Sequence, residues 1–486
     1  MNSQSSTQAE AWFENAFFYH IYPLGFCGAP AHNSAEAAGS RLGALHEVIP
    51  HLRELGCNAV YLGPVFASQE HGYDTSDYYH IDARLGSNEE FRDLVGALHA
   101  ADIRVVLDGV FNHVGRQFWA FRDLQEHGEN SAYSDWFKGV DFSKQSPYGD
   151  AFSYTAWEGH FELVSLNHRN PELRQHLFGA VDWMIDELGV DGLRLDVAYL
   201  LPREFLRELR AHTRAKREDF YLLGEVIHGD YSEYLGPELL NSVTNYECYK
   251  GLWSSLNDGN YHEIVHSIGR QFGDGDGDGD GDGGAGHWSG ISRGHHLYNF
   301  VDNHDVDRAA SVLANTNYLN PLYGLLMTMP GTPSLYYGSE FGLPGTTKAG
   351  GDAALRPAWN EVERQAGKTR NDSGSGDRAE AVSKTLPAFI RELAEARAES
   401  PALRYGSYRT VLVNQRQLVF LREAPDETVV VALNSDSEPV QLPLKGLPGR
   451  KLTSLLQDKH VTDLNVGAPS INLPAYGTAV FRVHEI

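Results

Sequence analysis

The chain has 486 residues, and its 65 Asp and Glu outnumber its 40 Lys and Arg, which gives a formal net charge of −25. Such an acidic surface repels phosphate backbones and anionic lipid headgroups, which argues against nucleic-acid or membrane-surface partners. A hydrophobic fraction of 42% is ample for a large core.

The start of the chain and its cysteines indicate the compartment. Residues 1–18 lack the basic start and continuous apolar core of a signal peptide. No stretch approaches the ~18 uncharged apolar residues of a membrane span. Cys27, Cys57 and Cys248 are isolated, with no pair at metal-ligand spacing. An odd, sparse set of this kind is typical of reduced thiols, so we expect a cytoplasmic enzyme.

Eight short β-rich runs recur along the chain, and helical stretches separate them. They are FFYHIYP (17–23), NAVYLG (58–63), IRVVLDGV (103–110), DGLRLDV (191–197), FYLLGEV (220–226), SVTNYE (242–247), LYNFVDN (297–303) and PSLYYG (333–338). Most intervals contain an amphipathic segment such as EEFRDLVGALHAAD or PREFLRELRAHTRAK. Eight strand–helix units predict a (β/α)8 TIM barrel. A doubly wound open sheet is the alternative, but no G-x-G-x-x-G motif follows any of the strands.

Two regions depart from this repeat. Residues 112–166 make a long connection after the third strand and are predicted to be a small inserted domain. Alternating strands and turns predict a C-terminal antiparallel β-sandwich over 401–486, which leaves 1–111 and 167–400 for the barrel. A Gly-Asp repeat at 273–284 lacks the bidentate Glu of an EF-hand loop, so we interpret it as a flexible, solvated loop. Aromatic residues of the insertion can form either a stacking wall for substrate or the insertion's own core: Trp119, Trp136, Phe152, Tyr154 and Trp157.

Acidic and imidazole side chains gather at the carboxyl ends of the predicted strands, where TIM-barrel active sites lie. They are Asp108, His113, Asp196, Glu225, His304 and Asp305. Four aromatic residues flank them as candidates for stacking on sugar rings, namely Tyr73, Tyr78, Phe111 and Tyr336. Arg194 and Asp196 share one face of a buried strand, which is costly unless the charges pair or take part in chemistry. Because four strand ends supply such residues together, the sequence predicts an active site at this end of the barrel.

Four sequence blocks resemble, in this order, those of the α-amylase family of glycoside hydrolases (family 13). They are DGVFNH (108–113), GLRLD (192–196), GEV (224–226) and NHD (303–305). The resemblance implies that Asp196 is the nucleophile, Glu225 the general acid/base and Asp305 the transition-state stabiliser. It implies substrate binding, and no metal ligation, by Tyr73, Asp108, His113, Arg194, His304, Asp352 and Arg356. We therefore expect Arg194 to hold the pKa of Asp196 down, and Glu225 to need a raised pKa.

The chain differs from many starch-cleaving members just after the implied nucleophile. Those members carry Lys and His three and four positions later, where this chain has Tyr199 and Leu200. The segments LRLDVAYL (193–200) and GGDAALRPAW (350–359) resemble neopullulanases and cyclomaltodextrinases instead. The resemblance thus implies a retaining hydrolase that cleaves α-1,4-glucosidic bonds in maltooligosaccharides, cyclodextrins or related α-glucans through a covalent glycosyl-Asp intermediate.

Other functions stay open. An α-glucan transglycosylase or glucoside phosphorylase of the family would carry the same three carboxylates, whereas an inactive carbohydrate-binding homologue would normally lose them. We expect an α-glucan oligosaccharide as partner, no nucleic acid or membrane, and no required cofactor. Calcium is not expected to be essential, because Leu200 offers no side-chain ligand. Since the first predicted strand begins near residue 17, we expect none of the extra N-terminal domain that these relatives carry, and the oligomeric state is open.

Overall fold

The computed structural model describes residues 11–34, 38–273, 290–371, 378–444, 447, 451–456, 461–463 and 470–484. The Gly-Asp repeat, from residue 274 on, lies outside the described residues, so the loop predicted there stays a prediction.

Eight parallel strands form the central sheet. Their bounds are Phe18–Ile21, Ala59–Leu62, Arg104–Gly109, Gly192–Leu195, Tyr221–Gly224, Ser242–Val243, Tyr298–Asn299 and Thr332–Tyr336, here called the first to eighth barrel strands. Neighbours in the chain pair with one another, and the first strand pairs with the eighth. A parallel bridge between Thr244 and Tyr298 joins the sixth strand to the seventh and closes the barrel. The predicted TIM barrel is confirmed, and the open doubly wound sheet is excluded.

The α-helices of the described chain span Pro23–Phe26, Gly43–Glu47, Ile49–Leu55, Asn88–Ala100, Trp119–His127, Pro171–Trp183, Arg203–Lys216, Tyr246–Asn257, Tyr261–Phe272, Ala309–Val312, Leu319–Thr328, Thr347–Gly350, Trp359–Asn371, Arg378–Glu399 and Pro401–Tyr405. Asn88–Ala100 shows how local sequence sets such a helix. The Ser87 hydroxyl accepts from the Glu90 N–H and the Glu90 carboxylate accepts from the Ser87 N–H, a capping box. Helical spacing then buries one face, formed by Phe91, Leu94, Val95 and Leu98. Within the described ranges, no helix is both long and apolar enough to cross a bilayer.

The connection after the third barrel strand has a cluster of buried aromatic residues that is continuous with the barrel core. It contains the helix Trp119–His127 and an antiparallel sheet of His113–Gly115, Ala156–Trp157 and His160–Ser165. Edge-to-face ring pairs join four buried aromatic residues, Phe121, Phe137, Phe152 and Tyr154. The exact division of the chain at residues 112, 166 and 400 stays a prediction.

The C-terminal region is the predicted antiparallel sandwich. Its strands are Ser407–Val413, Gln417–Ala424, Glu427–Asn434, Val440–Pro443, Lys451–Ser454, Val461–Asp463, Ser470–Leu473 and Thr478–His484. Val440–Pro443 and Ser470–Leu473 form a separate two-stranded sheet. Val419 and Leu421 face the core between the two sheets, whereas Leu418 and Phe420 join the core shared with the barrel. Alternate residues of one strand therefore hold the sandwich together and fix it to the barrel.

Candidate active site

A cavity of about 730 Å³ opens at the carboxyl ends of the barrel strands. Asp196 and Glu225 line it from the ends of the fourth and fifth strands, and Asp305 lines it from the loop after the seventh. Parallel strands bring their carboxyl ends to one rim, so carboxylates that are 29 and 80 positions apart in sequence become neighbours.

Arg194 is buried in the fourth barrel strand and binds three carboxylates. Its Nη1 donates to both oxygens of Asp108, at 2.8 and 3.0 Å, and to Oδ1 of Asp196 at 2.9 Å. Its Nη2 lies 3.0 Å from Oε1 of Glu225. Asp108 and Arg194 are register partners on adjacent strands, and the Tyr61 hydroxyl donates to Asp108 at 2.7 Å. The two charges that the sequence placed on one strand face are therefore paired.

The ionisation of Asp196 differs from the expectation. Burial raises the pKa of Asp196 well above its ordinary value, and the opposing effect of Arg194 does not offset it. Burial raises the pKa of Glu225 in the same way, again against Arg194. Arg194 does lower the pKa of Asp196, as expected, but burial outweighs it, so the net direction is the opposite of the expected one. Two interacting buried carboxyls titrate as a pair, so Asp196 and Glu225 keep a shared proton to higher pH than separate carboxyls would.

The backbone after Asp196 also holds Glu225. Val197 has φ +48°, a left-handed conformation that is unusual for a β-branched residue. In this conformation its N–H donates to Oε2 of Glu225 at 2.9 Å. Glu225 is thus held by Arg194 at one oxygen and by this amide at the other. Strain of this kind persists only where the surrounding structure imposes it, and here it fixes Glu225 against the strand that carries Asp196.

Asp305 has separate partners. Nε2 of His304 lies 3.0 Å from its Oδ2, and Nη2 of Arg356 donates to its Oδ1 at 3.1 Å. The surrounding protein raises the pKa of Asp305, but His304, Arg356 and Arg194 more than offset this and leave it below its ordinary value. Arg356 also binds the His304 carbonyl at 3.1 Å and the Asp352 carboxylate at 3.2 Å. Asp305 therefore stays ionised at neutral pH, whereas burial raises the pKa values of both Asp196 and Glu225.

His113 presents a neutral ring to the cavity. Burial, and then the charge of His71, lowers the pKa of His113 to about 3. The side-chain amide of Asn112 lies 3.2 Å from Nδ1, so Nδ1 accepts and the ring proton is on Nε2. Nε2 lies 3.8 Å from Oδ2 of Asp196, and neither atom has a hydrogen-bond partner among the described residues. A hydroxylated ligand can satisfy an unpaired donor and an unpaired acceptor that face one cavity.

Similarity to known proteins agrees with this geometry. Residues 20–385 match the α-amylase catalytic domain, and residues 409–480 match the maltogenic amylase C-terminal domain. The chain belongs to the α-amylase family. Its glycosidase relatives include a cyclomaltodextrinase of Bacillus sp, 31% identical over 459 residues that cover 88% of this chain and 74% of the relative. An intracellular maltogenic amylase of Bacillus subtilis is 29% identical over 357 residues, which cover 70% of this chain and 57% of the relative.

A solved structure in the α-amylase family is similar over nearly the whole chain. The cyclic α-maltosyl-(1→6)-maltose hydrolase of Arthrobacter globiformis, in its ligand-free form, has a TM-score of 0.78 at 26% identity and covers 98% of this chain and 100% of that one. The same hydrolase is solved in complex with cyclic α-maltosyl-(1→6)-maltose and with maltose.

Seven of the ten predicted site residues line the cavity of this α-amylase-family glycosidase: Tyr73, His113, Asp196, Glu225, Asp305, Asp352 and Arg356. The other three predicted site residues are buried behind the cavity wall and contact residues that line it, namely Asp108, Arg194 and His304. The Tyr73 ring stacks on His304 with centroids 5.7 Å apart, and its hydroxyl reaches Asp108 at 3.2 Å.

Most of the aromatic residues proposed for sugar stacking lie elsewhere. The Tyr78 hydroxyl donates to the Val110 carbonyl and that of Tyr336 to the Leu355 carbonyl, and Phe111 is fully buried, so these three rings belong to the core. In the insertion, Trp136, Phe152 and Tyr154 are buried, and Trp119 packs on Tyr133 and Trp136. Of the described aromatic residues of the insertion, Trp157 lines the cavity, 5.6 Å from the His113 ring.

Sequence reasoning missed several residues of this site. His71 lines the cavity and lies two positions before Tyr73, so its place in the HGYD block was an available signal. Tyr246 follows the sixth barrel strand and could have been found at that strand end. Tyr61 and the Val197 N–H have no sequence signal, because a tyrosine within an apolar strand and a left-handed valine are visible only in the folded chain.

In the part of the chain that the structure describes, no group of three or more His, Cys, Asp or Glu side chains is placed to hold a metal ion. The Leu200 side chain is exposed beside the 3₁₀ turn Ala198–Leu200 that follows the fourth barrel strand.

Proposed function

We propose that the protein is a retaining hydrolase of α-1,4-glucosidic bonds in maltooligosaccharides and cyclodextrins. The observation that carries this proposal is the grouping of Asp196, Glu225 and Asp305 in one cavity, with the first two bound to one guanidinium. Double displacement requires the two carboxyls about 5–5.5 Å apart, and their shared anchor keeps them close. That separation stays a prediction.

In the first half of the reaction, Oδ2 of Asp196 attacks the anomeric carbon while Glu225 gives its proton to the departing glycosidic oxygen. Arg194 holds Oδ1, and Oδ2 has no hydrogen-bond partner within the described chain, so its lone pair is available. In the second half, Glu225 takes a proton from water, and the resulting hydroxyl displaces Asp196 from the sugar. Two inversions retain the α configuration.

The raised pKa values of Asp196 and Glu225 supply the proton that the two reaction steps need. The chemistry requires one ionised and one protonated carboxyl, and a buried pair with a shared proton provides both. Asp305 stays ionised and can accept hydrogen bonds from hydroxyls next to the reacting carbon. The Nε2–H of His113 is the matching donor to the same ring.

The substrate class is inferred from the cavity wall and from the relatives. Asp352 and Arg356 come from the segment that resembles oligosaccharide-active members, and Arg356 binds both Asp305 and Asp352 at one side of the cavity. Trp157 supplies a flat apolar surface near His113. The cyclomaltodextrinase relative and the neighbour solved with a cyclic maltosyl-maltose support small or cyclic α-glucans as substrates.

We also propose a cytoplasmic location and no essential cofactor. The intracellular maltogenic amylase among the relatives and three free cysteines support the location. The exposed, apolar side chain of Leu200, at a position where related enzymes offer histidine, supports activity without calcium.

Product analysis tests the proposal. Initial rates per molecule are compared for maltohexaose, cyclodextrins, pullulan and soluble starch, with and without phosphate, and NMR follows the first anomer. We expect the α-anomer first, and faster turnover of oligosaccharides or cyclodextrins than of starch. Starch cut internally at least as fast as maltohexaose would contradict the substrate class, and a β-anomer would contradict retention. Sugar phosphate products, or products longer than the substrate, would instead identify a phosphorylase or a transglycosylase, and absence of turnover an inactive homologue.

A further inference from the structure

A second cavity, of about 250 Å³, lies at the opposite end of the barrel. It opens between the amino ends of the seventh and eighth barrel strands and the first strand of the C-terminal sandwich, where Gly331 and Ser407 line it. Its basic lining residues are Arg293, His295, His296, Arg404 and Arg422. Within the described ranges, no Asp or Glu lines it. Such an excess of basic over acidic side chains in the described lining is unexpected in a chain with a net charge of −25.

The charge of Arg422 is completely buried in this wall. Its Nη1 donates to the Thr328 and Leu403 carbonyls at 2.6 and 3.0 Å, and its Nη2 donates to the Gly406 carbonyl at 2.8 Å. Behind it, Arg397 is 3% exposed and donates to the same Leu403 carbonyl at 2.8 Å. Two buried guanidiniums therefore share one neutral acceptor.

Helix capping explains part of this arrangement. Thr328 is the last residue of the helix Leu319–Thr328, and arginines commonly bind such terminal carbonyls. A helix C-terminus carries only about half a negative charge, however, against two buried positive charges. Burial, then Arg397, lowers the pKa of Arg422, and burial, then Arg404, lowers the pKa of Arg397 to about 9. Both groups stay charged at neutral pH, so the electrostatic cost persists until an anion relieves it.

The remaining polar atoms of the wall are suited to an anion. Arg422 Nη2 carries two hydrogens, and the structure shows one of them bound, to Gly406. The Tyr408 hydroxyl accepts from Thr410 at 3.1 Å, which leaves its own proton to donate. Nδ1 of His296 has no partner in the described structure. Burial lowers the pKa of His296 to about 4, and a bound anion would raise it again.

We propose that this cavity binds a doubly charged tetrahedral oxyanion, either free phosphate or the phosphate group of a small phosphorylated sugar. Its volume is below the roughly 300–1,000 Å³ of pockets for drug-sized molecules, so an inorganic ion or a small phosphate ester fits its size. A bound anion would join the barrel floor to the C-terminal sandwich, because its ligands come from both. This site is separate from the proposed catalytic cavity and does not depend on the reaction proposed there.

Calorimetric titration and thermal unfolding test the site at pH 7 and constant ionic strength. The probes are inorganic phosphate, glucose 6-phosphate, chloride and neutral glucose. We expect one phosphate per chain and a rise in Tm that chloride does not give. If inorganic phosphate binds and glucose 6-phosphate does not, the ligand is free phosphate. If both bind, the cavity also accepts the phosphate group of a small sugar. Equal effects of phosphate and chloride, or equal binding of glucose, would overturn the proposal.

Two variants locate the binding. Arg422→Gln removes the buried charge and should weaken phosphate binding at least tenfold. Ser407→Glu places a carboxylate at the cavity edge without touching the arginines, so it should raise Tm in phosphate-free buffer and abolish the response to phosphate. Ala132→Glu adds the same charge at an exposed position of the insertion and should respond as the unmodified protein does. If Ser407→Glu binds phosphate as tightly as Ala132→Glu does, the anion is not in this cavity.

Discussion

Arg194→Met removes the single guanidinium that holds three carboxylates together, and its effect on stability can be worked from the structure. The side chain is 4% exposed and contacts Asp108, Asp196 and Glu225. Methionine preserves much of the volume but leaves these carboxyls buried without that partner. The variant should therefore be destabilised by uncompensated charge and not by a cavity.

Removing one partner of a buried ion pair costs about 3–5 kcal/mol. Unfolding entropy is about 2.1 cal/mol/K per residue, so a cooperatively unfolding chain of 486 residues loses about 1 °C of Tm per kcal/mol. We expect a fall of about 3–5 °C at pH 8. Arg409 is a matched control because it also binds a carboxylate through two nitrogens, on Glu423, but is half exposed. Arg409→Met should cost less than about 1 kcal/mol.

The pH dependence of the stability loss in Arg194→Met distinguishes a loss of charge pairing from a loss of packing. Without Arg194, the folded-state pKa values of Asp196 and Glu225 rise further above their unfolded values, so the folded state binds more protons than the unfolded state. The loss in free energy of unfolding caused by Arg194→Met should then be largest at high pH and become smaller as the pH falls. Scanning calorimetry of both variants and the unmodified protein at pH 5 and pH 8 measures this. A loss for Arg194→Met that is equal at both pH values, or no larger than that of Arg409→Met, would refute the reasoning.

Three further outcomes follow from the site. Asp196→Asn should lower kcat by orders of magnitude while circular dichroism and Tm stay near those of the unmodified protein, and retained turnover would rule out Asp196 as nucleophile. The pKa values of Asp196 and Glu225 are both raised, so the basic limb of the kcat/KM pH profile should lie well above the pKa of a free carboxyl. At that limb the second carboxyl ionises and the general acid is lost. A basic limb near pH 4–5 would contradict this expectation. Activity should survive dialysis against a chelator, and complete loss that calcium restores would show an essential metal.

The barrel could be predicted from sequence because its evidence is repetitive. Eight apolar runs with amphipathic segments between them are compatible with few architectures. Seven of the runs contain a whole barrel strand, and the eighth overlaps Thr332–Tyr336. The sixth and seventh strands shorten to Ser242–Val243 and Tyr298–Asn299, and a bridge that involves Thr244 completes the closure. Such a contact depends on the position of the whole ring, which no local pattern encodes.

The site could be predicted as a set of residues but not as an electrostatic arrangement. Strand-end position placed Asp196, Glu225 and Asp305 among six candidates, the resemblance to the α-amylase family singled them out, and the structure brings them into one cavity. The sign of the pKa shift at Asp196 could not be predicted, because it depends on how many carboxylates share Arg194 and on how much water burial removes. Aromatic residues were the weakest predictions, since a ring beside a strand end packs inward as readily as it faces a ligand.

The carboxylates of the cavity fall into two groups with different partners, and this division suits retaining chemistry. Asp196 and Glu225 share Arg194, so their protonation is coupled and a proton can change place between the two steps without a change in net charge. Asp305 has its own partners in His304 and Arg356, which hold it ionised. A glycosidase needs one proton that moves and one negative charge that stays beside the developing positive charge of the sugar. Because His304 and Arg356 contact Asp305 in addition to the effect of Arg194, Asp305 stays ionised while Asp196 and Glu225 share the proton, and both needs are met within one cavity.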